Sequence, residues 1–371
     1  MSSVQNIRDI QNHSQDHAGA DSRPQLHLQA ASLPVRLGHF MSDTVRFGLA
    51  TAGMNYITTS RTPIDAEAIW RNCTRSWPGP MQAFMDHYPF PAQRRRIIDD
   101  IFRRTSAEGI EYHYDVSNDF YELFLDRRFM FYTCADFLSP DDSLEQAQLN
   151  KANYIGDLLE PKAGERILEL GCGWGSMMRH IHDRTGDKEH LTGVTLSKDQ
   201  LGYIREKFGF NVLLDDFIHM DYGVETYDKF YSIGAFEHVR PDDVLPLYKR
   251  LHAALKPGGR MVLHFFSLNG TERLPASAIG VQLVFPGSIL SLHTDHLDWM
   301  RHAGFRLTHD SIHDYRPTLR AWFDRLVANR DRAHALVGIQ TTNKYLAFFA
   351  AAWGFFDSEA GSLHRYVLMK D

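Results

Sequence analysis

Cysteine is scarce: Cys73, Cys134 and Cys172 are the only three in 371 residues, with no CxxC pair and no regular spacing. That excludes a disulfide-stapled secreted scaffold and a structural zinc site, and it fits a reducing, cytoplasmic compartment. Long apolar runs are missing as well. The longest, YLAFFAAAWGFF at 345–356, falls short of the roughly 20 residues that a spanning helix needs. It reads as core or as the wall of a binding channel, core being the commoner use. The N-terminus has no apolar stretch of the secretory kind. Residues 1–32, polar and rich in Gln, Asp and His, are expected to form a disordered tail. The chain also lacks a basic excess. Its formal net charge is -6, and no basic stripe is interleaved with aromatics, so nucleic acid is not an expected partner. One basic cluster, Arg94, Arg95, Arg96, Arg103 and Arg104, reads as a solvated helix face or as a contact with anionic lipid headgroups at a membrane surface. No internal repeat is present.

With 43% hydrophobic residues, the length suits one large domain or a standard domain with an accessory region. Residues 33–107 hold amphipathic blocks broken by the prolines of WPGP and FPA, and they read as a small helical N-terminal region. From 108 to 371 the texture changes. RILELG (166–171), HLTGVTL (190–196), NVLLDD (211–216), KFYSIGAF (229–236), RMVLHFFS (260–267), FRLTHDSI (305–312) and RYVLMK (365–370) read as strands. Between them SMMRHIHDRT, SKDQLGYIREKFG and DDVLPLYKRLHAAL read as helices, with Ser197 and Gln200 spaced as a capping box. A further helical block spans about 318–356. This alternation predicts an α/β fold, a doubly wound, mostly parallel seven-stranded sheet.

In such a sheet ligands bind at the C-terminal ends of the strands. The first strand ends in LELGCGWG (168–175), where Gly171, Gly173 and Gly175 allow a tight turn and a close backbone approach. The spacing departs from the dinucleotide fingerprint, and no G-K-[ST] follows to make a P-loop. The turn resembles the first motif of class I methyltransferases that use S-adenosylmethionine. VTLSKDQ, LLDDF and LKPGGRMVLH follow in the order that family shows. The resemblance implies Thr195 and Gln200 at the ribose, Asp216 and Phe217 at the adenine, and Pro257-Gly258-Gly259 as the turn into the fifth strand.

Upstream, HYDVSNDFYELFLD and YTCADF resemble the cyclopropane-fatty-acid synthases, including the mycolic acid cyclopropane synthases. The likeness continues through SIGAFEHV, FPG (285–287), AGFRL and DYRPTLRAW. It implies S-adenosylmethionine as cofactor, with Tyr132, Thr133 and Ile233 also touching it, and bicarbonate as the base. The anion would be held by the backbone of Cys134, by Tyr315 and by His264 oriented by Glu237, with His238 alongside. Taken alone these residues have plainer readings: Cys134 as a buried apolar residue, His264 as a core histidine, Tyr315 as a core tyrosine and His238 as a strand cap. Trp174 reads as packing against the glycine turn. The resemblance further implies a lipid or other unsaturated small-molecule acceptor, with peripheral membrane contact and a homodimer as further expectations. Phe265 and Phe266 after His264, Arg240 after FEHV, Val284 before FPG and the stretch 268–280 depart from the family pattern and bear on the acceptor. Two rings beside His264 would reshape its pocket. Alternatives are a small-molecule N- or C-methyltransferase acting on an amine or isoprenoid, and a protein that binds S-adenosylmethionine without turnover.

Overall fold

The computed structural model describes residues 33–74, 118–270 and 291–371, with four isolated positions between 88 and 93. The expected polar tail, the arginine cluster, the HYD motif, FPG and most of 268–280 lie outside the described residues. The helices are α1 (Leu33–Thr59), α2 (Ala66–Thr74), the single turn α3 (Asn118–Tyr121), α4 (Leu144–Leu159), α5 (Ser176–Thr185), α6 (Lys198–Lys207), α7 (Pro241–Ala254), α8 (His293–His302), α9 (Arg316–Ala328) and α10 (Arg330–Asp357). Local chemistry sets several of their ends. Ser143 caps α4 by accepting from Gln146 N, and Ser197 caps α6 by accepting from Gln200 N, the pair whose spacing led us to expect a cap. Gly338 adopts φ 81, ψ 165 and bends α10.

The strands are β1 (Ile167–Leu170), β2 (Leu191–Thr195), β3 (Asn211–Leu214), β4 (Tyr227–Ile233), β5 (Leu255–Leu268), β6 (Arg306–His313) and β7 (Gly361–Met369). They form one seven-stranded sheet in the order β3-β2-β1-β4-β5-β7-β6. β1 to β5 run parallel, and β7 inserts antiparallel between β5 and β6. All four residues of β1 are buried, because helices cover both faces of a parallel sheet.

Two boundaries differ from the sequence reading. β4 stops at Ile233, since Gly234 takes φ 71 and the chain turns into a 3-10 segment, Phe236–His238. β5 already begins at Leu255, and its pairing with β4 jumps from Tyr227↔Leu255 to Lys229↔Arg260. Pro257, Gly258 and Gly259 are therefore a bulge within the strand rather than a turn before it.

One core layer, with Ile155, Leu159, Met177, Met178 and Ile181, lies under α4 and α5. A second, with Leu247, Tyr248, Leu251 and Met300, lies under α7 and α8 on the other face. A third, mostly aromatic layer joins α2, α3, α9 and α10 beyond the strand ends. There Trp70 of α2 meets Phe323 at 4.7 Å and Trp353 at 5.7 Å between ring centroids. Tyr345, Phe349 and Phe355 of the 345–356 run are buried in the core.

Candidate active site

The glycine turn after β1 is built to approach a ligand. Gly171, Gly173 and Gly175 all have positive φ. A Cβ at Gly171 would sit 2.7 Å from that of Ala235, just after β4, whereas one at Gly173 would meet nothing within 4 Å. Gly171 is thus glycine for packing, and Gly173 leaves an open backbone face. At the end of β2, Thr195 Oγ1 donates to Gln200 Oε1 at 2.7 Å, so the two predicted ribose ligands stand together. After β3, Asp216 accepts from Ile218 N at 2.9 Å and from the His219 ring at 2.6 Å. Phe217 stacks against Phe236 with centroids 6.1 Å apart. Trp174 donates from Nε1 to Asn118 Oδ1 at 3.1 Å, tying α3 to the turn. Glu169 faces inward, accepts from Tyr231 OH at 2.8 Å, and burial raises its pKa to about 8.

Across these strand ends runs the segment 131–136. Asp126 holds its approach by accepting from Phe129 N and Phe131 N at 2.6 and 2.9 Å. From α4, Gln148 donates to Thr133 O at 2.9 Å and Lys151 Nζ to Thr133 Oγ1 at 2.7 Å. From α9, Thr318 Oγ1 accepts from Ala135 N at 2.9 Å. Lys151 is fully buried, with Nζ 3.5 Å from the Phe131 ring centroid, and burial lowers its pKa to about 7. Burial also pushes the Cys134 thiol far up, so it stays protonated and is no thiolate nucleophile.

Ile233 stands opposite His264 in the β4–β5 register, and Gly234 N donates to His264 O at 2.8 Å. A Cβ at Gly234 would lie 2.4 Å from Thr133 Cγ2 and 3.7 Å from Glu237 Oε1. Thr133, Ile233, Glu237 and His264 therefore share one neighbourhood. Glu237 is 8% exposed and His264 1%, and neither Glu237 Oε2 nor His264 Nε2 has a hydrogen-bond partner. Burial raises the Glu237 pKa to about 8 and lowers that of His238 to about 4. Burial first, and then the charges of Arg365 and Lys151, hold His264 well below the usual imidazole range. Tyr315, at the start of α9, is buried against Trp322 and Phe356, with centroids 5.9 and 5.0 Å away.

A sequence profile described as mycolic acid cyclopropane synthetase matches residues 102–366. The chain belongs to the mycolic acid cyclopropane synthetase family. It is 32% identical over 303 residues to a probable fatty acid methyltransferase of Pseudomonas putida, covering 77% of this chain and 74% of that protein. The cyclopropane synthase MmaA2 of Mycobacterium tuberculosis superposes with a TM-score of 0.66 at 27% identity, over 72% of this chain and 99% of that one. CmaA1, a mycolic acid cyclopropane synthase solved with S-adenosylhomocysteine (SAH) and CTAB, gives 0.64 at 26% identity, over 72% of this chain and 99% of that one. The protein is an S-adenosylmethionine-dependent methyltransferase.

Two expectations drawn from the cyclopropane synthetase family change on the structure. Glu237 makes no hydrogen bond to His264. The imidazole is held instead by Arg365, whose Nε donates to Nδ1 at 2.9 Å. Nor do both rings after His264 crowd the site, because successive strand residues face opposite ways. Phe265 packs with Phe236 and His296, at 5.8 and 4.6 Å, on the far face. Phe266 shares the His264 face and meets Phe356 at 5.8 Å, a ring that also touches Tyr315.

Asp136, Lys151 and Arg365 escaped the sequence reading. The register that places Arg365 opposite His264 joins residues 101 apart in the chain, and no local spacing signals it. On the opposite face of β7, ligand-type atoms of His293, Asp310 and His364 lie within 4.8 Å of one another. Asp310 is engaged by His364 Nδ1 at 2.8 Å. The two imidazoles stack 4.0 Å apart at 13°, so their in-plane lone pairs run side by side rather than converging on one point.

Proposed function

We propose that the protein adds a methylene or methyl group to an alkene of a lipid or lipid-like acceptor, with a bicarbonate-type anion as base. The observation that carries this reading is the pair of buried polar atoms without hydrogen-bond partners, Glu237 Oε2 and His264 Nε2, on residues that flank Gly234 together with Thr133. Near neutral pH Glu237 is in its acid form and His264 is uncharged. Two buried donors in one neighbourhood suit a small oxyanion better than a second cation.

Bound S-adenosylmethionine supplies an electrophilic methyl group on a sulfonium. The open backbone at Gly173 fits it, with Gly171, Tyr132, Thr133 and Ile233 around the methionine end. Thr195 and Gln200 would hold the ribose, and Asp216 and Phe217 the adenine. An alkene is a weak nucleophile, so this step calls for alignment and exclusion of water rather than a strong base. The aromatic layer of Tyr132, Tyr315, Trp322 and Phe356 meets that need. Loss of a proton from the new methyl group then requires a base. The Cys134 thiol, the acid form of Glu237 and the depressed His264 are poor candidates for it. The anion would be held by the Cys134 backbone, His264 and Tyr315, with Glu237 as a further donor and His238 alongside.

Among the described residues no helix is long and apolar enough to cross a membrane. We place the methyltransferase unit in residues 108–371, with 33–107 as an accessory region. Contact with a membrane surface, a homodimer and a cytoplasmic location belong to the same proposal. The test supplies S-adenosylmethionine with a fully deuterated methyl group and a pool of unsaturated lipids, isoprenoids and amines. Mass spectrometry then counts the deuterium retained in the product. Two retained atoms mean that the methyl group lost a proton after transfer and support the anion-base reading. Three retained atoms on an amine or isoprenoid support the alternative, simple N- or C-methylation in which the proton is lost from the acceptor, and refute deprotonation of the transferred methyl group.

A further inference from the structure

We propose that Arg365, clamped by Asp136, locks His264 in the tautomer that carries its proton on Nε2, so that the ring serves the site only as a hydrogen-bond donor. Arg365 and His264 are directly opposed across the β5–β7 ladder, which puts both side chains on the same face. Arg365 is fully buried. Its Nε donates to His264 Nδ1 at 2.9 Å, and its two terminal nitrogens bond Asp136 in a fork at 2.6 and 2.8 Å. The ring of Tyr154 lies 5.1 Å from the guanidinium carbon. Asp136 also meets His313 Nδ1 at 3.2 Å, and His313 Nε2 meets Ser311 Oγ at 2.9 Å.

The direction of the central hydrogen bond is not a matter of choice. A guanidinium has five N–H donors, no acceptor, and remains charged inside proteins. His264 Nδ1 must therefore offer its lone pair, and a neutral imidazole then carries its proton on Nε2. Protonating Nδ1 would break the bond to Arg365 and set a second cation against the guanidinium. Nε2 already bears a proton, so the ring has no free lone pair for a general base.

The order of the three groups explains the choice of Asp136. In a carboxylate–histidine pair the acid accepts from Nδ1–H, stabilises the imidazolium and makes the ring a better base. Here the guanidinium stands between carboxylate and imidazole, and the influence is reversed. Burial alone would raise the Asp136 pKa, but the Arg365 charge and the bonds from His313 and Arg365 hold it well below the usual carboxylate range. The carboxylate thus neutralises a guanidinium that would be costly to bury alone. Arg365 and Asp136 are positioning residues, and the group they position is the buried Nε2–H donor of His264.

The inference rests on reading this cluster as the methyl-transfer site, but its decisive readout does not depend on turnover. Full-length protein labelled with ¹⁵N-histidine is compared by long-range ¹H–¹⁵N correlation with its His264→Gln variant, which identifies the His264 signals. Unprotonated Nδ1 with protonated Nε2 is the expected pattern. A proton on Nδ1, alone or with Nε2, overturns the lock. Removing Arg365 alone would strand a buried carboxylate, so the paired variant Asp136→Leu/Arg365→Met, which leaves no unmatched charge, is used for the second arm. It is expected to show mixed His264 tautomers and a kcat lower by on the order of a hundredfold, with KM for S-adenosylmethionine unchanged. A paired variant that keeps the tautomer overturns the lock, and one that loses it at full kcat overturns the positioning role. If no acceptor is ever turned over, the functional reading fails while the spectra still decide the tautomer.

Discussion

Replacing Glu237 with glutamine is expected to stabilise the ligand-free protein at alkaline pH while leaving its stability in acid unchanged. The carboxyl is buried in the 3-10 segment after β4, its Oε2 without a partner, and burial raises its pKa from 4.5 to about 8. A folded-state pKa above the unfolded one means that the native protein binds the proton more tightly between the two values. Stability contributed by the neutral acid is complete below about pH 4.5 and is lost as the pH rises through about 8. The separation, 8 − 4.5 = 3.5, at about 1.4 kcal/mol per unit, sets a ceiling of about 5 kcal/mol, reached above pH 8. Relaxation and water entry around the ionised group reduce it, so about 2 kcal/mol or more is the expected gain. Glutamine has nearly the same shape and cannot ionise. Guanidinium unfolding of both proteins in carbonate-free buffer at about pH 5 and about pH 9 measures the effect. Taking the difference between the two proteins cancels other titrating groups, including Lys151, whose pKa burial lowers to about 7. A difference that stays flat across that range would refute the reasoning, because it would mean that Glu237 is ionised and paired in the native state.

The glycine turn and the rings beside His264 give two further tests. Gly173→Ala adds a Cβ where nothing lies within 4 Å, so the fold should lose only about 1 kcal/mol from the positive φ. Calorimetry should nonetheless show S-adenosylmethionine binding at least about tenfold weaker, a steric loss of some 1.4 kcal/mol; unchanged affinity would place the cofactor elsewhere. Phe265→Ala should cost about 3–5 kcal/mol by emptying a core position on the far face, with acceptor preference intact in a competition assay. Phe266→Ala should cost less stability and shift that preference. Equal effects on preference would show that strand alternation does not divide their roles.

Much of this protein is written locally in its sequence. The run LELGCGWG specifies a buried strand, a turn with positive φ at its glycines and the start of a helix, because each requirement is met within eight residues. The caps at Ser143 and Ser197 are equally local, as is the alternation of strands and helices that yields the parallel sheet. His264 shows where local information ends. Its place in an apolar strand is legible, but its hydrogen-bond partner depends on β7 entering antiparallel between β5 and β6, which brings Arg365 opposite it across 101 residues. The division of Phe265 and Phe266 between two faces is a matter of strand period, yet only the packed layers decide which face is the site. Sequence thus determined the motifs, because backbone conformation and capping act over a few residues. Tertiary structure decided the charge and proton state of the site, because burial and ion pairing arise from groups that meet only when the sheet closes.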